Sequence, residues 1–315
     1  MTEPYVRPDV RAFLAMMEAN PRPLFTAEFI AQIRTMPADM MASLDLPVGE
    51  LAVDRTLSCP GPAGSIELRL LDPRAERAPG PVVVFYHGGG FCLGSIASHA
   101  GLAAEIARQL DLPVVSVDYR LAPEHPWPAG VDDGEAAARW IADNGEALGR
   151  TATGLILCGD SAGATLAIVT AMALRDKPAA RPVLLQFPIY PVTDSHGGTA
   201  SRAAFSDGYG LESRNMRLYD EHYAPDIEHW RASPLLADQA GMPPTLLVTA
   251  ALDPLRDEGR AYAAATAAAG VPTTFRELEG TIHGFATYRK AIPSAQADLT
   301  AILTLAKAMI SEFGD

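Results

Sequence analysis

The pentapeptide Gly159-Asp160-Ser161-Ala162-Gly163 carries the strongest signal in the sequence. It follows the apolar run 154–158 and precedes the helix-forming stretch 164–175, which predicts a strand, a sharp turn and a helix. A serine at such a turn has strained backbone geometry and an exposed hydroxyl, and the flanking glycines remove Cβ atoms that would clash. The start of the helix directs free N–H groups to the same place, where they favour negative charge. We therefore predict that Ser161 is a nucleophile.

Length and composition indicate one large globular unit with a smaller addition. The chain has 315 residues, 48% of them hydrophobic, and a formal net charge of −13. No cluster of Lys and Arg is present, so we expect neither nucleic acid nor a membrane surface as a partner. We attribute the negative charge to solubility rather than to the steering of cationic substrates.

The three cysteines, Cys59, Cys92 and Cys158, are odd in number and far apart. They form no Cys-x-x-Cys pair, so we expect reduced thiols and neither a disulfide framework nor a zinc site. Cys158 lies in an apolar strand and Cys92 follows a glycine run, and both are interpreted as core residues rather than reactive groups. The N-terminus lacks the basic and apolar segments of a signal peptide, which predicts a cytoplasmic location.

Eight predicted strands define the fold class. Two alternating segments, Glu50 to Ser58 and Gly64 to Leu71, suggest an antiparallel pair. Five continuous apolar runs and a last strand, Thr273 to Leu278, follow, with helical patterns between them. This alternation is typical of a parallel sheet buried on both faces. We predict an α/β fold with a mostly parallel eight-stranded sheet flanked by helices.

Two segments do not fit this alternation. Residues 1–45 hold two short helical patterns and six of the ten methionines, at positions 1, 16, 17, 36, 40 and 41. Residues 193–233 are too long for a loop between strand and helix, and their aromatics are Phe205, Tyr209, Tyr219, Tyr223 and Trp230. We predict that 1–45 and 193–233 form a helical cap over a catalytic domain of 46–192 and 234–315. The methionines and aromatics are expected to wall a pocket above Ser161.

Chain order selects partners for the serine. A nucleophilic serine needs a histidine to take its proton and a carboxylate to orient that histidine. On a parallel sheet both follow the nucleophile, each in a loop after a strand. Three histidines precede Ser161 and three lie in the insertion, which leaves His283. Asp253 follows the strand at 245–252, so we predict it as the acid and Asp257 and Glu258 as supporting residues.

The glycine run His87-Gly88-Gly89-Gly90 follows another predicted strand and leaves backbone N–H groups uncovered. We predict that the N–H groups of Gly88, Gly89 and Ala162 converge on the oxyanion of a tetrahedral intermediate. The run does not match the G-x-G-x-x-G spacing of a dinucleotide loop, because Leu93 stands where the third glycine would be.

Five motifs in order resemble the bacterial hormone-sensitive-lipase family of esterases. They are His87-Gly-Gly-Gly90, Tyr119-Arg-Leu-Ala-Pro-Glu-His-Pro126, Gly159-Asp-Ser-Ala-Gly163, Asp253-Pro-Leu-Arg-Asp-Glu258 and His283-Gly-Phe285. The resemblance spans about residues 80–290. It implies a capped α/β-hydrolase fold and hydrolysis of short to medium acyl esters without cofactor or metal. It also implies Ser161, Asp253 and His283 as the triad.

Two alternatives to a carboxylesterase stay open from sequence. An amidase or peptidase could use the same triad but would need better protonation of an amine leaving group. A non-catalytic ligand-binding protein of this fold is disfavoured because His283 is present. The expected partner is a small ester. The sequence leaves both a monomer and a homodimer open.

Overall fold

The protein is described by a computed structural model covering residues 3–21, 23–37, 40 and 42–313. Its centre is an eight-stranded sheet in the order β1-β2-β4-β3-β5-β6-β7-β8. The strands are β1 (Val53–Gly61), β2 (Gly64–Asp72), β3 (Gly80–Tyr86), β4 (Val114–Asp118), β5 (Ala152–Asp160), β6 (Val183–Ile189), β7 (Thr245–Leu252) and β8 (Thr273–Ile282). β1 pairs with β2, and β2 with β4, in antiparallel register; the remaining pairs are parallel. The predicted α/β class and strand number are confirmed.

Helices cover both faces of the sheet. They are α3 (Ala100–Leu110), α4 (Ala129–Asp143), α5 (Gly145–Leu148), α6 (Ala162–Asp176), α9 (Arg256–Ala268) and α10 (Ser294–Phe313). Two apolar clusters fill the space between helices and sheet, one centred on α3 and α10 and the other on α4 and α6. α6 is buried almost all round because it lies against the central strands. Within the described ranges, no helix is long and apolar enough to cross a membrane.

The two N-terminal helices have different neighbours. α1 (Pro8–Ala19) buries Val10 and Phe13 in the cluster that includes α10, and the backbone N–H of Ser294 donates to Asp9 at 2.8 Å. α2 (Ala27–Arg34) begins after Thr26, whose hydroxyl accepts from the Phe29 N–H. α2 packs beside the insertion instead of the sheet. Among the described residues of segment 1–45, α1 therefore lies against the core beside the sheet, and α2 lies against the insertion.

The insertion between β6 and β7 contains α7 (Ala200–Ala204) and α8 (Ser213–Tyr223). Tyr223 packs with Phe25, Ile30 and Ile33 from the N-terminal segment, together with Leu93. The Asn215 side chain also accepts a hydrogen bond from the backbone N–H of Phe25, at 3.1 Å. α8 and α2 thus form one apolar layer above the carboxyl ends of the strands, which is where open parallel sheets bind ligands.

Candidate active site

The turn between β5 and α6 holds Ser161 in an unusual conformation. Its φ of 53° and ψ of −121° lie outside the ordinary regions for a residue with a side chain. A Cβ at Gly159 would lie 2.3 Å from the Gly163 carbonyl oxygen, and one at Gly163 would lie 2.0 Å from that of Tyr86. Both glycines are therefore needed for the close approach of strand, turn and helix. The turn directs the serine into a cavity.

Ser161, His283 and Asp253 lie in one hydrogen-bonded series. The Nε2 atom of His283 is 2.8 Å from the Ser161 Oγ, and its Nδ1 is 2.7 Å from Asp253 Oδ2. The other Asp253 oxygen accepts from the Leu255 N–H at 2.8 Å, and the carboxylate is fully buried. A carboxylate facing Nδ1 favours the tautomer with its proton there, which leaves Nε2 to accept from the serine.

The other two acidic candidates do not contact His283. Asp257 accepts from the Ser201 N–H at 2.8 Å. Glu258, also fully buried, pairs with Arg202 at 2.9 Å and accepts from the Thr193 N–H at 3.0 Å. Burial raises the pKa of Glu258 to about 7, although Arg202 opposes the shift. Both side chains attach the insertion to α9, a role that the sequence motif alone did not reveal.

The structure corrects the predicted donor set in the glycine loop. The Gly88 N–H donates to the Asp160 Oδ1 at 2.9 Å, so it is already used, and the inclusion of Gly88 in the oxyanion hole is wrong. Gly89, Gly90 and Ala162 all line the cavity, and no described residue accepts from the N–H groups of the two glycines. Tyr219 covers the loop so closely that a Cβ at Gly90 would lie 2.6 Å from its ring.

A buried polar layer supports this loop from below. Burial alone would raise the pKa of Asp160, but His99 and the Gly88 N–H more than offset it and lower the pKa. His87 stacks on Tyr119 with ring centroids 4.3 Å apart, and its Nδ1 lies 2.8 Å from the Gly88 carbonyl oxygen. The Tyr119 hydroxyl donates to the His87 carbonyl at 2.6 Å. Sequence reasoning missed the supporting roles of Asp160 and Tyr119.

The buried imidazole of His87 should make stability depend on pH. Burial lowers its pKa from 6.5 to about 3. Below about pH 6.5 the unfolded chain therefore takes up a proton that the folded chain does not, and stability falls. His87→Phe keeps a stacking ring but cannot titrate. The unfolding free energy of wild type minus that of the variant should thus decrease by about 1.2 kcal/mol from pH 6 to pH 5. Urea unfolding at several pH values measures it, and a constant difference would contradict a neutral His87.

A cavity of about 460 Å³ opens above Ser161. Apolar and aromatic side chains from both sides of the predicted cap line it, including Phe25, Phe29, Ile33, Tyr219 and Tyr223. The expected aromatic wall is thus present in part: Phe205, Tyr209 and Trp230 pack instead against the two core clusters.

The expected methionine wall is wrong for three of its four members in the described ranges. Of the N-terminal methionines in the described ranges, Met36 lines the cavity, whereas Met16 and Met40 are 46% and 58% exposed. Met17 packs against the core cluster that contains α10. Met1 and Met41 lie outside the described residues. The positions of these methionines depend on which side of the chain faces the rest of the protein. Amino-acid composition does not carry that information.

Arg34 attaches α2 to the loop that follows the glycine run. Its Nε donates to the Cys92 carbonyl at 2.9 Å, and its guanidinium also reaches the Ala122 carbonyl and the Glu124 carboxylate. Cys92 is fully buried, and burial raises its pKa to about 12, in agreement with a core role. Nothing in the local sequence marks Arg34, because its acceptors are distant in the chain.

Removing Arg34 should loosen the cavity wall. We expect Arg34→Ala to raise KM for a short ester about threefold to tenfold with a smaller change in kcat, because α2 no longer has a fixed position. Arg11→Ala, an exposed arginine on α1, is the matched control and should leave KM at the wild-type value. Steady-state kinetics on both variants test this, and an unchanged KM in Arg34→Ala would mean that α2 is held by apolar packing alone.

Comparisons with known proteins agree with this geometry. A sequence profile of the alpha/beta hydrolase fold matches residues 83–287. The esterase LipI of Mycobacterium tuberculosis is 37% identical over 258 residues, 80% of this chain and 78% of LipI. The carboxylesterase NlhH of the same organism is 34% identical over 304 residues, 94% of this chain and 95% of NlhH. The structure of a hyperthermophilic esterase from the archaeon Pyrobaculum calidifontis has a TM-score of 0.89 at 34% identity, covering 98% of this chain and 99% of that one. The chain therefore belongs to the α/β-hydrolase family, in its group of bacterial esterases similar to hormone-sensitive lipase.

Proposed function

We propose that the protein is a carboxylesterase that hydrolyses short to medium acyl esters through an acyl-enzyme on Ser161. The observation that supports this most directly is the hydrogen-bonded series from Ser161 through His283 to Asp253, at the wall of an apolar cavity. A histidine within 2.8 Å of a serine hydroxyl can take its proton as the serine attacks. Family membership favours the same chemistry.

The reaction proceeds in two halves. Ser161 Oγ attacks the ester carbonyl while His283 Nε2 takes the hydroxyl proton, and Asp253 stabilises the imidazolium that forms. The tetrahedral intermediate collapses, the C–O bond to the alcohol breaks, and His283 gives its proton to the leaving oxygen. Water then attacks the acyl-enzyme with His283 as base, which releases the acid and restores Ser161.

The negative charge on the intermediate needs fixed donors. We assign these to the N–H groups of Gly89, Gly90 and Ala162, since Gly88 donates to Asp160. Loss of one such donor typically costs about 2.7 to 4 kcal/mol of transition-state stabilisation. The N-terminus of α6 adds a favourable partial positive charge at the same point.

A chain-length series tests the substrate class. A cavity of about 460 Å³ with aromatic walls accommodates a modest acyl group, and we expect acyl chains of about two to six carbons to give the highest kcat/KM. p-Nitrophenyl esters from acetate to palmitate measure this, and a matching p-nitroanilide distinguishes an amidase. A maximum at palmitate would contradict the size argument. No turnover of any ester would favour the non-catalytic alternative.

The remaining assignments are also proposals. We place the cap in α2 and the insertion 193–233, above a catalytic domain of 46–192 and 234–315, with α1 attached to that domain. We expect activity to survive chelators, because the chemistry assigned to these residues needs neither metal nor cofactor.

β8 is an edge strand with Phe275 40% exposed, which favours pairing into a homodimer. Gel filtration and cell fractionation test the dimer and the cytoplasmic location.

A further inference from the structure

One face of α8 forms a wall of the cavity. Asn215, Met216, Tyr219, Asp220 and Tyr223 all line it, and their spacing is that of a single helical face. Four of these side chains are uncharged: one is apolar, two are aromatic and one is an amide. Asp220 alone on this face carries a charge, so the question is what its carboxylate pairs with.

The other charged side chains around the cavity already have partners. The pairs are Arg202 with Glu258, Arg231 with Asp132, Glu212 with Arg214, and Asp160 with the Gly88 N–H and His99. The Asp220 backbone carbonyl accepts from the Ala224 N–H at 2.8 Å, but its carboxylate has no hydrogen bond or ion pair with any residue in the described ranges. Its electrostatic neighbour of opposite sign is Arg202, whose guanidinium makes its ion pair with Glu258 and not with Asp220, and Glu221 on the same helix is a neighbour of the same sign. Among the described residues, the Asp220 carboxylate at the cavity wall therefore has no ion-pair partner of its own.

The surroundings of Asp220 strengthen its effect on a ligand. Asp220 is exposed and is one of the residues that line the cavity, and partial burial by the surrounding protein raises the pKa of its carboxylate. Charges in such a partly enclosed place are screened less than charges at an open surface. Tyr219 and Tyr223 lie within one turn of it, and aromatic rings attract cations in their own right.

We propose that Asp220 makes this site selective for short esters that carry a positive charge, by pairing with that charge at the cavity wall. This inference rests on the proposed esterase function and specifies its substrate class. Asp220 takes no part in bond making, so its effect belongs to recognition.

Two isosteric substrate pairs test the proposal on either side of the ester bond. Choline butyrate and 3,3-dimethylbutyl butyrate differ only by nitrogen for carbon in the alcohol. The p-nitrophenyl esters of 4-(trimethylammonio)butyrate and 5,5-dimethylhexanoate differ in the same way in the acyl group. The charge is permanent, so assays at pH 8 keep Asp220 ionised and leave the substrates unchanged.

The measured quantity is the ratio of kcat/KM for the charged ester to that for its neutral isostere. In at least one pair, Asp220→Asn should lower this ratio about fivefold to tenfold, and 0.5 M NaCl should lower it in wild type. Glu221→Gln is the matched control, because it makes the same change of charge on the same helix at an exposed residue that does not line the cavity. It should leave the ratio unchanged.

A binding measurement separates this inference from the proposed function. Calorimetry on Ser161→Ala should show that adding Asp220→Asn weakens binding of choline butyrate about fivefold to tenfold. If wild type hydrolysed no ester, the esterase proposal would fail, and this comparison would still decide the role of Asp220. If neutral esters were hydrolysed but both ratios were the same in wild type and Asp220→Asn, the charge selectivity would be overturned and the esterase function would stand.

Discussion

Ser161→Ala should lower kcat/KM for p-nitrophenyl butyrate by at least about 10⁴-fold while the protein stays folded. The serine hydroxyl is the group from which His283 Nε2, 2.8 Å away, can take a proton, and no other described side chain is placed to replace it. Alanine can adopt the same strained backbone, and the Ser161 side chain is half-buried at a cavity wall, so its hydroxyl adds little packing. The melting temperature should therefore stay within a few degrees of wild type.

The control for this variant is Ser116→Ala. Ser116 lies in β4, fully buried, and its hydroxyl has no hydrogen-bond partner within the described ranges. Its removal should leave activity at the wild-type level. An organophosphonate that labels reactive serines should modify the peptide containing Ser161 in wild type and in Ser116→Ala, as mass spectrometry can show. Activity of Ser161→Ala within tenfold of wild type would mean that another group is the nucleophile.

The features that sequence predicted well are those set by local geometry and chain order. Any Cβ two residues before or after Ser161 would lie 2.3 Å or 2.0 Å from a backbone oxygen, so glycine is required at both positions. The motif therefore predicts the turn directly. The order of strands on a parallel sheet brings their carboxyl ends to one edge. His283 and Asp253 could therefore be chosen by elimination before any distance was known.

The features that sequence predicted poorly depend on contacts between distant segments. Three consecutive glycines look equivalent in the sequence, and what separates Gly88 from Gly89 and Gly90 is the Asp160 carboxylate, 72 positions away in the chain. The same holds for Arg34, whose acceptors lie in two loops 58 and 88 positions further on. Composition suggested that the N-terminal methionines share one role, but α1 and α2 pack against different parts of the protein.

Asp253→Asn should lower kcat/KM about 10³-fold to 10⁴-fold, whereas Asp257→Asn should lower it by less than about tenfold. An asparagine at 253 can turn its amide N–H₂ towards His283 Nδ1, which would then have to accept a hydrogen bond and leave the proton on Nε2, facing Ser161. A histidine in that tautomer cannot act as the base.

Asp257→Asn is the matched control for this change, because it makes the same substitution four residues away at a side chain that does not contact His283. Its carboxylate binds the Ser201 N–H and the arginines 256 and 260, so its loss should appear as a lower melting temperature or a raised KM. Steady-state kinetics and thermal unfolding of both variants separate the two effects. Equal losses of kcat, or a larger loss in Asp257→Asn, would mean that Asp257, at the start of α9, is the acid of the triad. The contact between Asp253 and His283 would then serve only to hold the loop.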